Sequence, residues 1–155
     1  MKINTVVFDP GGLSGHVALM RNATVNSLNL AKFSEWQLIL KSIEKARDAS
    51  LQGDPDYCHY VWPGTIVLPQ FYEAMTTTCE FYKTDFAYCE CGLVRPNPDV
   101  IKKPTEANFG ISQIMIKAWV IRELGGGHIT NLIKRVMNEY RGAHVPHVLT
   151  MEISQ

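Results

Sequence analysis

The sequence predicts an α/β domain over residues 1–155, with a mainly parallel sheet flanked by helices. Three observations predict it. A β-rich run, Ile3–Phe8 (INTVVF), begins almost at residue 1 and stops at Asp9-Pro10-Gly11-Gly12, as an interior strand of a parallel sheet would. A second apolar run, Tyr57–Val61, ends in the sharp turn Trp62-Pro63-Gly64-Thr65, and Pro69 then opens a helix. Strand-like and helical periodicities alternate along the rest of the chain.

Taken in order, residues 16–32 are weakly periodic, mixing apolar pairs with Asn22, Asn26, Ser27 and Asn29, and read as a short strand and loop. Residues 34–49 carry the clearest helical signal. Ser34 and Gln37 form a capping box, Phe33 and Leu38 fit a hydrophobic staple, and Trp36, Ile39, Leu40, Ile43 and Ala46 share one face. Arg47 suits the end of that helix, and Gly53-Asp54-Pro55 breaks it. The helix of residues 69–82 turns Phe71, Ala74, Met75 and Thr78 inward. Residues 85–91 alternate as a strand, and 95–109, with Pro96, Pro98 and Pro104, form a long loop. A strand over 111–116 leads to a helix over 117–124, capped by Gly125. A helix over 129–140 puts Ile129, Leu132, Ile133 and Val136 on one face, and 144–153 closes as a strand.

Composition excludes several classes. Fifteen basic and fifteen acidic side chains cancel, so no field points to nucleic acid. No signal-peptide pattern opens the chain, and no apolar run approaches the roughly 20 residues of a bilayer span. A soluble, cytoplasmic protein without membrane insertion is expected. Cys58, Cys79, Cys89 and Cys91 lack the CxxC knuckle spacing of zinc sites, so they read as reduced, buried thiols. His144 and His147 fall on opposite faces of a strand, which argues against a shared metal. Gly125-Gly126-Gly127 follows a helix, so it reads as a cap and not as a phosphate cradle.

In α/β proteins, ligands sit where strand carboxyl ends open a crevice. That makes Trp62, Gly64 and Thr65 the candidate crevice-lining residues. Trp62 reads either as a rim aromatic of the core or as a surface on which a ligand ring stacks.

The order of segments resembles that of family-two glycosyltransferases. NTVVFDPGGLSG resembles their strand and turn of the form VVVDDGSTDG, and DYCHYVWPGTIVLPQFYEAM resembles YIxFLDxDDxLxPxxLE. DFAYCECGLVRPN resembles the next strand and loop, and SQIMIKAWVIRELGG is similar to the helix that ends in Gly-Gly-Phe. NLIKRVMNEYRGAHVPHVL is similar to the terminal helix with its hIPxxL strand. The resemblance spans nearly the whole chain. It implies a GT-A fold that binds a nucleotide-sugar at the strand carboxyl ends, with Asp9 and Gly11 on the nucleotide. It also implies a carboxylate motif holding Mg²⁺ or Mn²⁺ on the diphosphate, and a later acid as general base.

The chain departs from the family at the chemistry. Pro10 replaces the neighbour of Asp9. Trp62, Pro63, Gly64 and Thr65 fall on the metal-binding aspartates and supply no carboxylate, and no acid stands at Ile129-Thr130, where the general base would fall. By the resemblance the chain begins at the family's second strand. A metal would need substitute ligands, for which Asp54, Asp56, His59, Glu90 and His128 are candidates. The expectation is a glycosyltransferase-like domain with degenerate catalytic motifs and no catalytic residue assigned.

Two other classes compete. One is a non-catalytic module that meets a protein partner or a second copy through an exposed sheet edge. The other is a haloacid-dehalogenase-like phosphatase, whose FDxDGTL opening resembles FDPGGL with Asp9 as nucleophile. Gly11 stands there in place of the acid/base aspartate, and no metal-binding Asp pair is evident, so this reading is the weakest.

Overall fold

Every residue of Ile3–Phe8 and Tyr57–Val61 is buried, so both runs are interior strands covered on both faces. The computed structural model describes residues 1–9, 15–31, 36–94, 101–102 and 110–153. The elements are β1 (Ile3–Phe8), α1 (Gly15–Leu30), β2 (Trp36–Lys41), α2 (Ala46–Ser50), β3 (Tyr57–Val61) and β4 (Thr65–Val67). There follow α3 (Phe71–Tyr82), β5 (Phe86–Val94), β6 (Ile101–Lys102), β7 (Ile114–Lys117), α4 (Ala118–Leu124), α5 (Ile129–Glu139) and β8 (Gly142–Ile153).

The sheet runs β2-β1-β3-β7-β5-β8-β4, with β6 on β5. Pairing is parallel for β1 with β2 and β3, and for β5 with β8. β7 lies antiparallel between β3 and β5, and β4 antiparallel on β8. Hence β1, β2, β3, β5 and β8 all point one way and share a carboxyl end.

Alternation along the strands feeds two cores. One face packs Val6, Phe8, Tyr60 and Ile116 against α2, α4 and α5. The other packs Ile3, Val7, Val61 and Met115 against α1 and α3. This is an α/β sheet flanked by helices on both faces. No helix among the described residues is long and apolar enough to cross a membrane. All four cysteines are buried thiols outside any disulfide, and burial pushes Cys58 up to about 11 and Cys89 up to about 12.

Two elements correct the sequence expectations. Within 34–49, Trp36–Lys41 is a strand in continuous parallel register with β1, from Ile3↔Trp36 to Phe8↔Lys41. Only Ala46–Ser50 is α-helical there, and the Ser34 cap lies outside the described residues. The compact Leu38-Ile39-Leu40 run suits either period, and pairing along the whole of a buried neighbour wins over local helix signals. Residues 16–32, expected as strand and loop, hold the 16-residue helix α1. Its inner face carries Thr24 and Ser27 beside Leu28, so its hydrophobic periodicity is faint. A β–α–β unit therefore precedes the crevice strand.

Smaller corrections follow. The inner face of α3 is Phe71, Tyr72, Met75, Thr76 and Cys79, while Ala74 and Thr78 are half-buried. The face is set by Tyr72, whose hydroxyl finds partners inside the core. His144 and His147 both border a groove between α3 and β8, because the β5–β8 register shifts after Cys89↔Val145. In α5, Ile129, Leu132, Ile133 and Val136 are buried as the period predicts. Most of the expected 95–109 loop lies outside the described residues.

Candidate functional site

The turn after β3 is held from three sides. Thr65 N–H donates to Trp62 O at 3.2 Å, closing it locally. Gly64 has φ +97°, a conformation that favours glycine, and a Cβ there would stand 2.4 Å from Met20 Cε. Its N–H donates to Thr24 Oγ1 at 2.9 Å, and its carbonyl accepts from Ile153 N–H at 2.8 Å. One turn along α1, Ser27 Oγ accepts from Val67 N–H at 3.0 Å. Thr24 and Ser27 thus match Gly64 and Val67 at the same spacing of three, and α1 covers the outer edge of β4.

Trp62 is the outward part of this turn. Its indole rests on Phe8, ring centroids 4.5 Å apart, and remains 39% exposed. Beside it opens a cavity of about 630 Å³, a volume that suits a small-molecule ligand. Trp62, Gly110 and Ile111 belong to its lining. On α5, Thr130, Lys134 and Asn138, spaced four apart, present a hydroxyl, an amine and an amide above apolar Ile133 and Met137. Glu152, near the end of β8, adds one carboxylate. The cavity sits at the shared carboxyl end of the sheet, where Asp9 also lies.

A buried polar chain backs the turn. His59, with no exposed surface, lies between Tyr72 Oη (2.9 Å from Nδ1) and the Ser112 carbonyl (2.7 Å from Nε2). A carbonyl only accepts, so Nε2 carries the proton. Burial pushes the imidazole down to about 4, against the Ser112 hydrogen bond, so the ring is neutral and Nδ1 accepts from Tyr72 O–H. Thr5 Oγ1, 2.6 Å from Tyr72 Oη, completes the chain as donor. Ser112 Oγ in turn accepts from Trp62 N–H at 3.2 Å and lies 3.2 Å from Thr65 Oγ1.

The sequence-predicted residues are distributed unevenly around this site. Trp62 lines the cavity. Gly64 and Thr65 are buried behind it, one under Met20 and the other on Ser112. Asp9 follows β1, donates its N–H to Lys41 O at 2.9 Å, and faces Arg21 across 3.7 Å. Gly11 lies outside the described residues. Among the proposed substitute ligands, Asp54 pairs with Arg122 at 2.6 Å and Asp56 accepts from Lys2 N–H at 2.7 Å, both at the opposite end of β3. His59 has both nitrogens engaged. Glu90 faces His144 at 3.8 Å, and His128 caps α5 through Thr130.

The residues of the turn do not fit Mg²⁺ or Mn²⁺. Those ions need several oxygen ligands, whereas the turn has no carboxylate and its one hydroxyl is held by Ser112. Among the described residues no group of three or more His, Cys, Asp or Glu side chains is placed to hold a metal ion.

Sequence reasoning missed the α5 stripe, Glu152 and the inner role of His59. The stripe had a signal: Thr130, Lys134 and Asn138 flank the predicted apolar face at helical spacing. His59 gave only its place between Cys58 and Tyr60 in a buried strand.

No protein-family model matches the chain, and no curated protein matches its sequence. Solved structures do match its fold. The S. aureus protein TarS, as residues 1–349, superposes with TM-score 0.71 at 11% identity, covering 99% of this chain and 60% of that one. TarS in complex with UDP-GlcNAc gives 0.71 at 9% identity, covering 100% and 59%. Rv0371C of Mycobacterium tuberculosis H37Rv, in complex with manganese, gives 0.59 at 13% identity, covering 98% and 91%. The chain spans about 60% of the TarS 1–349 length. At such identities the likeness shows the fold, the GT-A-like α/β arrangement that the sequence resemblance implies.

Proposed function

We propose that the chain is a glycosyltransferase-like domain that binds a nucleotide-sugar at the carboxyl end of its sheet without a divalent metal. The observation that carries this reading is the cavity beside Trp62, in a fold shared with a protein solved with UDP-GlcNAc. Its walls combine an exposed indole and apolar floor with hydroxyl, amide, amine and carboxylate groups, a lining suited to an amphipathic ring bearing hydroxyls. The carboxylate-free turn supports degenerate transfer chemistry, so Asp9 and the unassigned Gly11 are proposed for nucleotide contact only, and no catalytic residue is named.

Thermal shift and calorimetry with UDP-, GDP- and dTDP-sugars, in Mn²⁺ and in EDTA, test this. A ligand at 100 times its Kd adds about 2.7 kcal/mol of stability. The expected result is a shift with at least one nucleotide-sugar that is equal in both buffers. No shift with any of them overturns the binding reading. A shift that requires Mn²⁺ overturns its metal independence.

A second reading rests on β2. Among the described residues it pairs with β1 alone, and its Leu40 is 43% exposed. A strand edge of this kind supports a non-catalytic module that pairs with a second copy or a partner. Sedimentation at micromolar concentration tests the homo-oligomer: a dimer dispersed by Leu40→Lys supports it, and a monomer throughout removes it.

A further inference from the structure

The buried polar chain ends on Ser112, and Ser112 joins two segments of the cavity lining. It belongs to the short turn Ile111–Gln113, whose neighbours Gly110 and Ile111 form part of the wall. Through its hydroxyl it also holds Trp62 N–H and approaches Thr65 Oγ1. The spacing between the Gly110–Ile111 wall and the indole is therefore set at one residue. Its carbonyl is held in turn by His59, which stacks on Phe71 with centroids 4.4 Å apart and cannot tilt freely.

We infer that His59 is a positioning residue: through the Ser112 carbonyl it sets how the Gly110–Ile111 segment of the lining sits against Trp62, and with it the pose of Trp62. Three features support it. The directions of the bonds are forced in sequence, Thr5 to Tyr72 to His59 to Ser112, so the chain has one low-energy arrangement. Its members come from β1, α3, β3 and the turn ahead of β7, so it ties together elements far apart in sequence. It also ends on the residue whose hydroxyl holds the Trp62 amide. His59 itself stays out of contact with any ligand. Only the ligand arm of the test rests on the nucleotide-sugar reading.

The experiment labels the three tryptophans with 5-fluorotryptophan and follows ¹⁹F resonances, assigning Trp62 by its loss in Trp62→Phe. His59→Phe keeps the stacking on Phe71 but removes both hydrogen bonds. Its Trp62 resonance should move while that of Trp119 stays, and nucleotide-sugar affinity should fall about tenfold, the scale of one buried hydrogen bond. His59→Gln, which retains an N–H for the Ser112 carbonyl, should restore both. A folded His59→Phe with an unmoved Trp62 resonance overturns the proposal, as does a His59→Gln that moves every resonance equally. If His59→Phe does not fold, His59→Asn decides, because its shorter amide cannot reach the Ser112 carbonyl: a moved Trp62 resonance supports the role and an unmoved one refutes it. Absence of ligand binding in the wild-type protein removes the nucleotide-sugar reading but leaves the resonance test standing.

Discussion

Trp62 lies across Phe8 with ring planes inclined at 54°, so the outermost residue of the turn is anchored to the last residue of β1. An aromatic pair of this kind adds about 0.5–1.5 kcal/mol beyond its burial, while a good part of the indole still faces the cavity. Trp62→Ala should thus lower stability by about 1–2 kcal/mol and weaken nucleotide-sugar binding about tenfold or more. Urea denaturation and calorimetry measure the two effects. Wild-type affinity in Trp62→Ala would place the ligand elsewhere.

Asp9 is the second contact to separate. Its pairing with Arg21 is partly solvated, which limits its contribution to well under about 1 kcal/mol. Asp9→Asn should leave stability within about 0.5 kcal/mol and weaken UDP binding several-fold if the carboxylate meets the nucleotide. Unchanged UDP affinity makes Asp9 a turn residue.

Stability should depend on pH through His59. Its pKa is held down from 6.5 to about 4 by burial, so between those values the unfolded chain binds a proton that the folded one refuses. The contribution is complete above about pH 6.5, is lost as pH falls towards 4, and levels off below it. Its size is about 3 kcal/mol. Denaturation of wild type and His59→Gln across pH 4–7 isolates it: the variant should have the shallower slope, and parallel curves would refute the assignment.

How far these features were legible in the sequence depends on what each element buries. α5 could be read directly, because Ile129, Leu132, Ile133 and Val136 bury an ordinary apolar face. β3 and its turn were equally clear from an unbroken apolar run and a Pro-Gly reversal. α1 was illegible for a physical reason: its inner face satisfies backbone amides with hydroxyls, and periodicity methods count hydroxyls as solvent-facing. β2 was misread because a compact aliphatic run fits both periods, and only its neighbour decides. His59 was proposed as a metal substitute, since a sequence shows a histidine's chemistry but not whether its nitrogens are occupied.

The joint between α1 and the turn can be tested directly. Thr24→Val would leave the buried Gly64 N–H without its acceptor, at a cost of about 1–3 kcal/mol. Gly64→Ala should cost about 1 kcal/mol or more from its backbone conformation alone, since the Met20 side chain can move aside but φ cannot. Chemical denaturation reads both. A neutral Thr24→Val would mean that water reaches the Gly64 amide.

The amides of Gly64 and Val67 are shielded by two hydroxyls on a helix and not by a neighbouring strand. In native-state deuterium exchange, such protons are released when α1 lifts away, long before the sheet itself opens. They should therefore exchange together, faster than the amides of β1 and β3, and report the undocking of a single helix. The lid over the β4 edge is then a cooperative unit of its own, and it lies directly behind the turn that carries Trp62.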